Sequence, residues 1–226
     1  MTGPSGQAVH IVGSAKLEVR FSPATGHNEA GDTTYGPARR TYALPNIIQV
    51  VNAEDFEGVL RFGVGLARQE PFHMFTLTSP SRVIIDVRTP FQTVNVRDYF
   101  LNLPNFETGE HPYTQAVYRP VIPPAVAFGA LQRLFAGPTQ PERALGLRFA
   151  ASKATGFSHL RIDGGVARVQ LTGGCSSGGS TFTIANEIRP TLKQFLPVQW
   201  VKIYDPSGNT ERPYGHTDSI PECLEP

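Results

Sequence analysis

The sequence is organised around one glycine-rich stretch, Gly173-Gly174-Cys175-Ser176-Ser177-Gly178-Gly179-Ser180, and the segment it launches. Beyond it, Ile184, Ile188, Leu192 and Phe195 recur on one stripe at the period of an α-helix, which predicts a helix over residues 181–195. Ser180 is placed to cap that helix through its hydroxyl. Pro190 lies inside the pattern and removes one intrahelical hydrogen bond, so a kink or a helix in two pieces is expected. Val198-Gln199-Trp200-Val201-Lys202-Ile203-Tyr204 is rich in β-branched and aromatic residues and predicts a strand, ended by the turn Asp205-Pro206-Ser207-Gly208.

Upstream, Pro124 suits a first helical position, and Ala127, Leu131 and Leu134 give an apolar stripe that Gly137-Pro138 terminates. Ser158–Ile162 and Val166–Leu171 flank Asp163-Gly164-Gly165 and predict a hairpin. Three of these stretches carry a resemblance. Ala130-Leu131-Gln132-Arg133-Leu134-Phe135-Ala136-Gly137-Pro138-Thr139 with Glu142 and Gly146-Leu147 resembles the "ALxxLLAGPTxxExxxGL" signature of GerMN domains. Asp163–Leu171 resembles that family's "DGVATVDL" hairpin, and the segment from Thr191 to Asp205 resembles its closing helix and strand. GerMN domains are named for sporulation and germination proteins and also occur in bacterial envelope lipoproteins. The resemblance implies self-association or protein contacts.

The N-terminal part reads differently. Val9, Ile11, Leu17, Val19 and Phe21 alternate with polar residues, which predicts a half-buried hairpin turning at Gly13-Ser14. Residues 22–46 are rich in Pro, Gly, Asn and Asp and read as a long loop. Ile47–Asn52, Val59–Leu66, Phe72–Leu77 and Val83–Val87 read as strands separated by turns, a spacing typical of a β-sandwich. Residues 13–37 and 55–87 resemble an AMIN-like domain, the envelope-targeting β-domain of actinobacterial lipoproteins. The family's opening strands, of the "DRVVFEF" kind, have no counterpart. The chain is therefore expected to begin part-way through this domain, with a strand Val9–Val12 at or near a sheet edge.

Charge excludes some partners. Lys+Arg number 20 against Asp+Glu 19, a net +1 over 226 residues, so no basic field points to nucleic acid or anionic lipid. No run of eighteen apolar residues occurs, so no transmembrane segment is expected. Met1–Gly6 lacks the charged and apolar regions of a signal peptide.

Cys175 and Cys223 are the two cysteines. Both lie in irregular, Gly/Pro-rich sequence outside any C-x-x-C context, which leaves buried free thiols or a disulfide in an oxidising compartment. The tail 205–226 carries few large apolar residues, and a Cys175–Cys223 staple is the expected device for holding it. In the chain-entropy account such a loop contributes roughly 4 kcal/mol.

Sites of chemistry are sparse. Gly63-x-Gly65 lacks the third glycine of a dinucleotide-binding turn. Gly178-Gly179-Ser180 lacks the lysine of a phosphate loop. His10, His27, His73, His111, His159 and His216 are scattered, with no zinc spacing. His27, Asn28, Glu29 and Asp32 read as a solvated loop rather than a calcium site. Glu54, Asp55 and Glu57 read as a polar turn rather than an acid–base pair. Tyr113, Tyr118 and Trp200 are suited to stacking on sugar rings, and their apolar neighbours favour core burial.

The sequence therefore predicts an α+β protein without catalysis, cofactor or metal. Residues 1–100 form a partial, sandwich-like all-β AMIN-like domain, and 101–111 a linker. Residues 112–204 form a small GerMN domain with two helices on a mixed sheet, and 205–226 a stapled tail. The resemblances imply an extracytoplasmic, envelope location of an exported or lipid-anchored precursor. They imply cell-wall polysaccharide or an envelope protein as partner. The alternative is a cell-wall hydrolase or hydrolase activator.

Overall fold

The computed structural model describes residues 8–226. The chain is mixed α+β and divides into two compact units, one ending at Val94 and the other running from Asn95 to Pro226.

The described part of the first unit is all β. Strands β1 (Ala15–Phe21), β2 (Arg39–Thr41), β3 (Ile47–Phe56) and β4 (Val59–Leu66) form one antiparallel sheet in the order β1-β4-β3-β2. Strands β5 (Phe72–Thr78) and β6 (Ser81–Val87) form a separate hairpin. β3 extends through the residues expected to turn, because the reversal needs only Glu57 and Gly58, both at positive φ. That is the two-residue hairpin turn whose twist suits flanking strands.

Residues 9–12 do not form the expected strand. β1 finds its partner in β4, with Val19 opposite Phe62, and not in the residues before it. Ile11 and Val12 are buried all the same. The Val12 amide donates to Gln49 Oε1 at 3.3 Å. Gly65 makes that approach sterically allowed: a Cβ there would meet the Val12 carbonyl oxygen at 1.8 Å.

The second unit holds two three-stranded sheets. Strand β7 (Val94–Asn102) is central in one, between β8 (Thr114–Val121) and the short β9 (Leu147–Arg148). Helix α1 (Leu103–Thr108) follows β7 directly, so residues 101–111 are a strand end and a helix rather than a linker. Asn102 makes this join, because its side chain accepts the Asn105 amide and starts the helix with Pro104 in its first turn.

Helix α2 (Val126–Ala136) begins two residues after Pro124 and ends at Gly137. Helix α3 (Gln140–Ala144) comes next. Strand β10 (Gly156–Asp163) pairs antiparallel with β11 (Val166–Thr172) through Gly164 and Gly165, both at positive φ. β11 pairs in parallel with β12 (Trp200–Tyr204). Helix α4 (Ile184–Lys193) makes the crossover between them and packs on α2 and β12.

The apolar stripe of α4 is as expected at Ile184, Ile188 and Leu192, each fully buried. Its start is not. Ser180 turns on itself, its Oγ accepting the Phe182 amide at 3.1 Å, and the cap falls to Thr183, whose amide donates to Asn186 Oδ1 at 2.8 Å. Pro190 sits within the ten-residue helix without dividing it.

The face of α4 beside this stripe carries a polar ladder, with Glu187 and Thr191 also buried. Glu187, Thr191 and Gln194 accept the amides of Leu101, Tyr99 and Arg97 at 2.9, 3.2 and 2.8 Å. These are alternate residues of β7, so the helix's side chains line one edge of that strand, along which the short β9 is in register only with Leu101 and Asn102.

The tail is docked rather than frayed. Ser219 exchanges backbone hydrogen bonds with Val201 and Ile203 at 3.0 Å each, against β12. The buried Lys202 ammonium donates to the carbonyls of Arg212 and Tyr214 at 2.5 and 3.1 Å. Burial first of all pushes its pKa down. Cys175 and Cys223 are joined in a disulfide, their Cα atoms 5.7 Å apart.

Candidate functional site

The residues singled out in the sequence do not converge on one centre. His27 and Asp55 come within 3.2 Å. Asp55 also accepts the Gly26 amide at 3.0 Å, the main reason its carboxyl titrates below the usual range. Glu54 is instead paired with Arg61 at 2.6 Å, and Glu57 occupies the β3–β4 turn. Asn28 folds onto Asp32 and closes its own loop, accepting the Ala30 and Asp32 amides. Among the described residues no group of three or more His, Cys, Asp or Glu side chains is placed to hold a metal. Gly63 and Gly65 lie within β4, and the amides of Gly178 and Gly179 bond to the hydroxyls of Ser176 and Ser177.

The aromatic candidates also separate. Tyr113 stacks on His111 at 4.0 Å and Trp200 lies against His216 at 4.9 Å. Tyr118 is 68 % exposed on β8, against the expectation of burial, because its alternate neighbours Arg119 and Val121 take the buried face.

A set the sequence did not mark comes together on the face of the first unit's sheet. A cavity of about 340 Å³ opens there, lined by Phe21, Tyr35, Arg40, Tyr42, Asn52 and Phe62 among others. Phe62 and Phe21 reach it from β4 and β1, Asn52 from β3, and the remaining three from the segment between β1 and β3.

Tyr35 meets Phe62 edge to face at 5.4 Å. Desolvation, then the Asp55 charge, raises the pKa of its phenol. The Arg40 guanidinium lies over Gly36, whose φ of 76° and missing Cβ leave room for it. Arg40 Nη2 donates to the Tyr35 carbonyl at 3.2 Å, while its Nε is buried without a hydrogen-bond partner. Asn52 donates to the Glu54 carbonyl at 3.3 Å. Aromatic faces beside a guanidinium and an amide suit a neutral polyol ring, which presents C–H faces and hydroxyl edges. The sequence signal was weak: three such residues within a Pro/Gly-rich loop of no clear period.

A second polar group lies in the core of the other unit. Asp98, fully buried on β7, faces Arg119 and Arg133, and neither carboxyl oxygen has a hydrogen-bond partner. Burial raises its pKa well above the usual carboxylate range, the nearby arginines opposing it. Burial likewise lowers Arg133 to about 10. Glu187 is fully buried, and desolvation pushes it up to about 8 against the two amides that hydrogen-bond it. These groups sit inside packed elements.

Residues 1–89 match the family described as the AMIN-like domain. No curated protein matches the chain, and no solved structure does.

Proposed function

We propose that this protein is a non-catalytic component of a bacterial cell envelope that binds wall polysaccharide through the face cavity of its first unit. The match of residues 1–89 to the AMIN-like domain carries this reading, because such domains are associated with peptidoglycan and envelope binding. The cavity supplies chemistry of the right kind: Tyr35 and Tyr42 as stacking surfaces, Arg40 and Asn52 as hydrogen-bonding groups. The Cys175–Cys223 disulfide fits an oxidising, extracytoplasmic compartment. Among the described residues no helix is long and apolar enough to cross a membrane.

The second unit is proposed to contain a GerMN-type domain over residues 112–204, with an assembly role toward envelope proteins. Its three resembling stretches fall on α2 through α3 to the start of β9, on the β10–β11 hairpin, and on α4 with β12. A hydrolase is disfavoured because Glu187 is committed to backbone amides and Asp98 is sealed in the core, leaving neither positioned as a solvent-facing acid–base pair.

The test is co-sedimentation with purified sacculi, comparing the protein with Tyr42→Ala and Arg40→Gln. The protein pellets with sacculi, each variant is retained several-fold less, and no muropeptides are released. Equal retention of protein and variants removes the cavity from the account. Muropeptide release above a heat-killed control replaces binding with hydrolysis.

A further inference from the structure

We infer that β1 is a self-pairing edge, through which two copies of this chain join their N-terminal sheets antiparallel, with Val19 of one opposite Val19 of the other. The inference goes beyond wall binding and does not depend on it.

β1 is the end of its sheet, hydrogen-bonded to β4 on one side only. Among the described residues this seven-residue edge has no strand partner, so its outward amides and carbonyls form a template for adding a strand. A second cavity, of about 650 Å³, follows this strand. It is lined by the consecutive residues Leu17, Glu18, Val19, Arg20 and Phe21, together with hairpin residues that include Phe72 and Met74. Consecutive residues point to opposite faces of a strand, so a cavity touching all five runs along the edge rather than over one face. Phe72, Met74 and Val83 are large apolar side chains left exposed beside it.

The charge pattern selects the occupant. Lys16, Glu18 and Arg20 are exposed, and Leu17, Val19 and Phe21 half-buried between them. Five antiparallel self-registers lie within one residue of the strand centre. Centred on Glu18, pairing sets Glu18 against Glu18 and Lys16 against Arg20, both repulsive. Centred between Glu18 and either of its neighbours, it sets charged residues against apolar ones. Centred on Leu17, it sets Lys16 against Glu18 twice and Leu17 against itself, with only Ala15 against Val19. Centred on Val19, it sets Glu18 against Arg20 twice, Leu17 against Phe21 twice, and Val19 against itself, which again opposes unlike charges and forms the larger apolar pairs.

The charges are available for this. Among the described residues Arg20 has no carboxylate in ion-pair reach. Glu18 has only a 3.7 Å contact with Arg61, which is already held by Glu54 at 2.6 Å. The two-fold axis passes through the sheet, so the face cavities of both copies open on one side of the joined sheet. A repeating polymer would then be gripped at two points, with a corresponding gain in avidity.

The experiment is sedimentation equilibrium of the full chain over a wide concentration range, with Glu18→Arg, Arg20→Glu and the double exchange E18R/R20E. The unaltered protein dimerises. Each single variant places like charges opposite each other twice and weakens the dimer about tenfold or more. An equimolar mixture of the two single variants forms a heterodimer, and the double exchange restores the homodimer. A Val19→Cys chain cross-links to itself without reductant, since opposite Cβ atoms on paired strands lie about 4.5–5.5 Å apart. Circular dichroism confirms that each variant is folded. An unaltered protein that stays monomeric to millimolar concentration overturns the inference. So does a dimer indifferent to the charge reversals, or a mixture of single variants that does not associate.

Discussion

Arg119 and Glu142 meet fork to fork, with Nη1 and Nη2 of the guanidinium donating to Oε1 and Oε2 at 2.7 and 2.5 Å. Arg119 is 1 % exposed, and its guanidinium also lies over the Phe100 ring at 5.6 Å. The same Glu142 carboxylate accepts the Thr139 amide at 2.7 Å and so closes the start of α3. One side chain thus fixes a strand, a helix start and a buried charge.

Removing that carboxylate strands the guanidinium. Glu142→Gln is expected to cost about 3–5 kcal/mol of stability, the range for breaking a buried pair on one side. Chemical denaturation at neutral pH measures it. Burial raises the Glu142 pKa, but the Arg119 bonds and charge with the Thr139 amide outweigh this and hold it below the usual value. Its contribution is therefore present above the unfolded carboxylate pKa and lost as pH falls through the depressed one. The cost of the substitution should shrink in acid, and a cost independent of pH would contradict the pairing account.

Glu187 behaves oppositely. Its folded pKa of about 8 lies above the unfolded value, so the folded state holds an extra proton between the two. Stability from this group is full below the unfolded pKa and declines as pH rises toward 8. Each pH unit inside that window costs the protein up to about 1.4 kcal/mol relative to Glu187→Gln, which keeps the acceptor oxygen and carries no charge. Unfolding free energies of both proteins at mildly acidic and mildly alkaline pH give the difference directly. Parallel pH dependences would show that Glu187 does not carry a buried proton.

The disulfide is one of several ties on the tail. Reduction, or the pair Cys175→Ser with Cys223→Ser, should lower stability by up to ~4 kcal/mol in the chain-entropy account, yet leave the tail protected in hydrogen exchange near Ser219 and Arg212. Lys202→Met, which leaves the Arg212 and Tyr214 carbonyls without their buried donor, should expose that stretch with the disulfide intact. Equal exchange in the Lys202 variant and the unaltered protein would refute the role given to the ammonium.

Gly65→Ala drives a methyl into the Val12 carbonyl. Segment 11–13 must move, with an expected cost of about 1–3 kcal/mol. A thermal melt that follows the first unit's aromatic signal reports it, and an unchanged midpoint would place residues 11–13 elsewhere.

Much of the architecture was readable because apolar period is a local property. Ile184, Ile188 and Leu192 announced α4, and Asp163-Gly164-Gly165 announced its hairpin. What escaped was set by distant partners. Glu187, Thr191 and Gln194 lie off the apolar stripe that marks α4, and their targets on β7 lie more than eighty residues away in sequence. Val9 to Val12 alternate like a strand, yet β1 has its partner in β4 and Gly65 admits the earlier segment without pairing. The face cavity was illegible for the same reason: Tyr35, Arg40 and Tyr42 have no period, and only the sheet beneath them brings Asn52 and Phe62 alongside.

The ladder from α4 to β7 also bears on how the chain reaches its fold. A strand whose amides are met by another strand can zip locally, each bond easing the next. The amides of Arg97, Tyr99 and Leu101 wait instead for a helix that is synthesised more than eighty residues later. Closing so long a loop spends chain entropy before any of the three bonds returns it. A nascent chain ending before Ile184 would hold β7 with that edge bare, so the second unit should be acquired in one late, concerted step rather than grown from its N-terminal end.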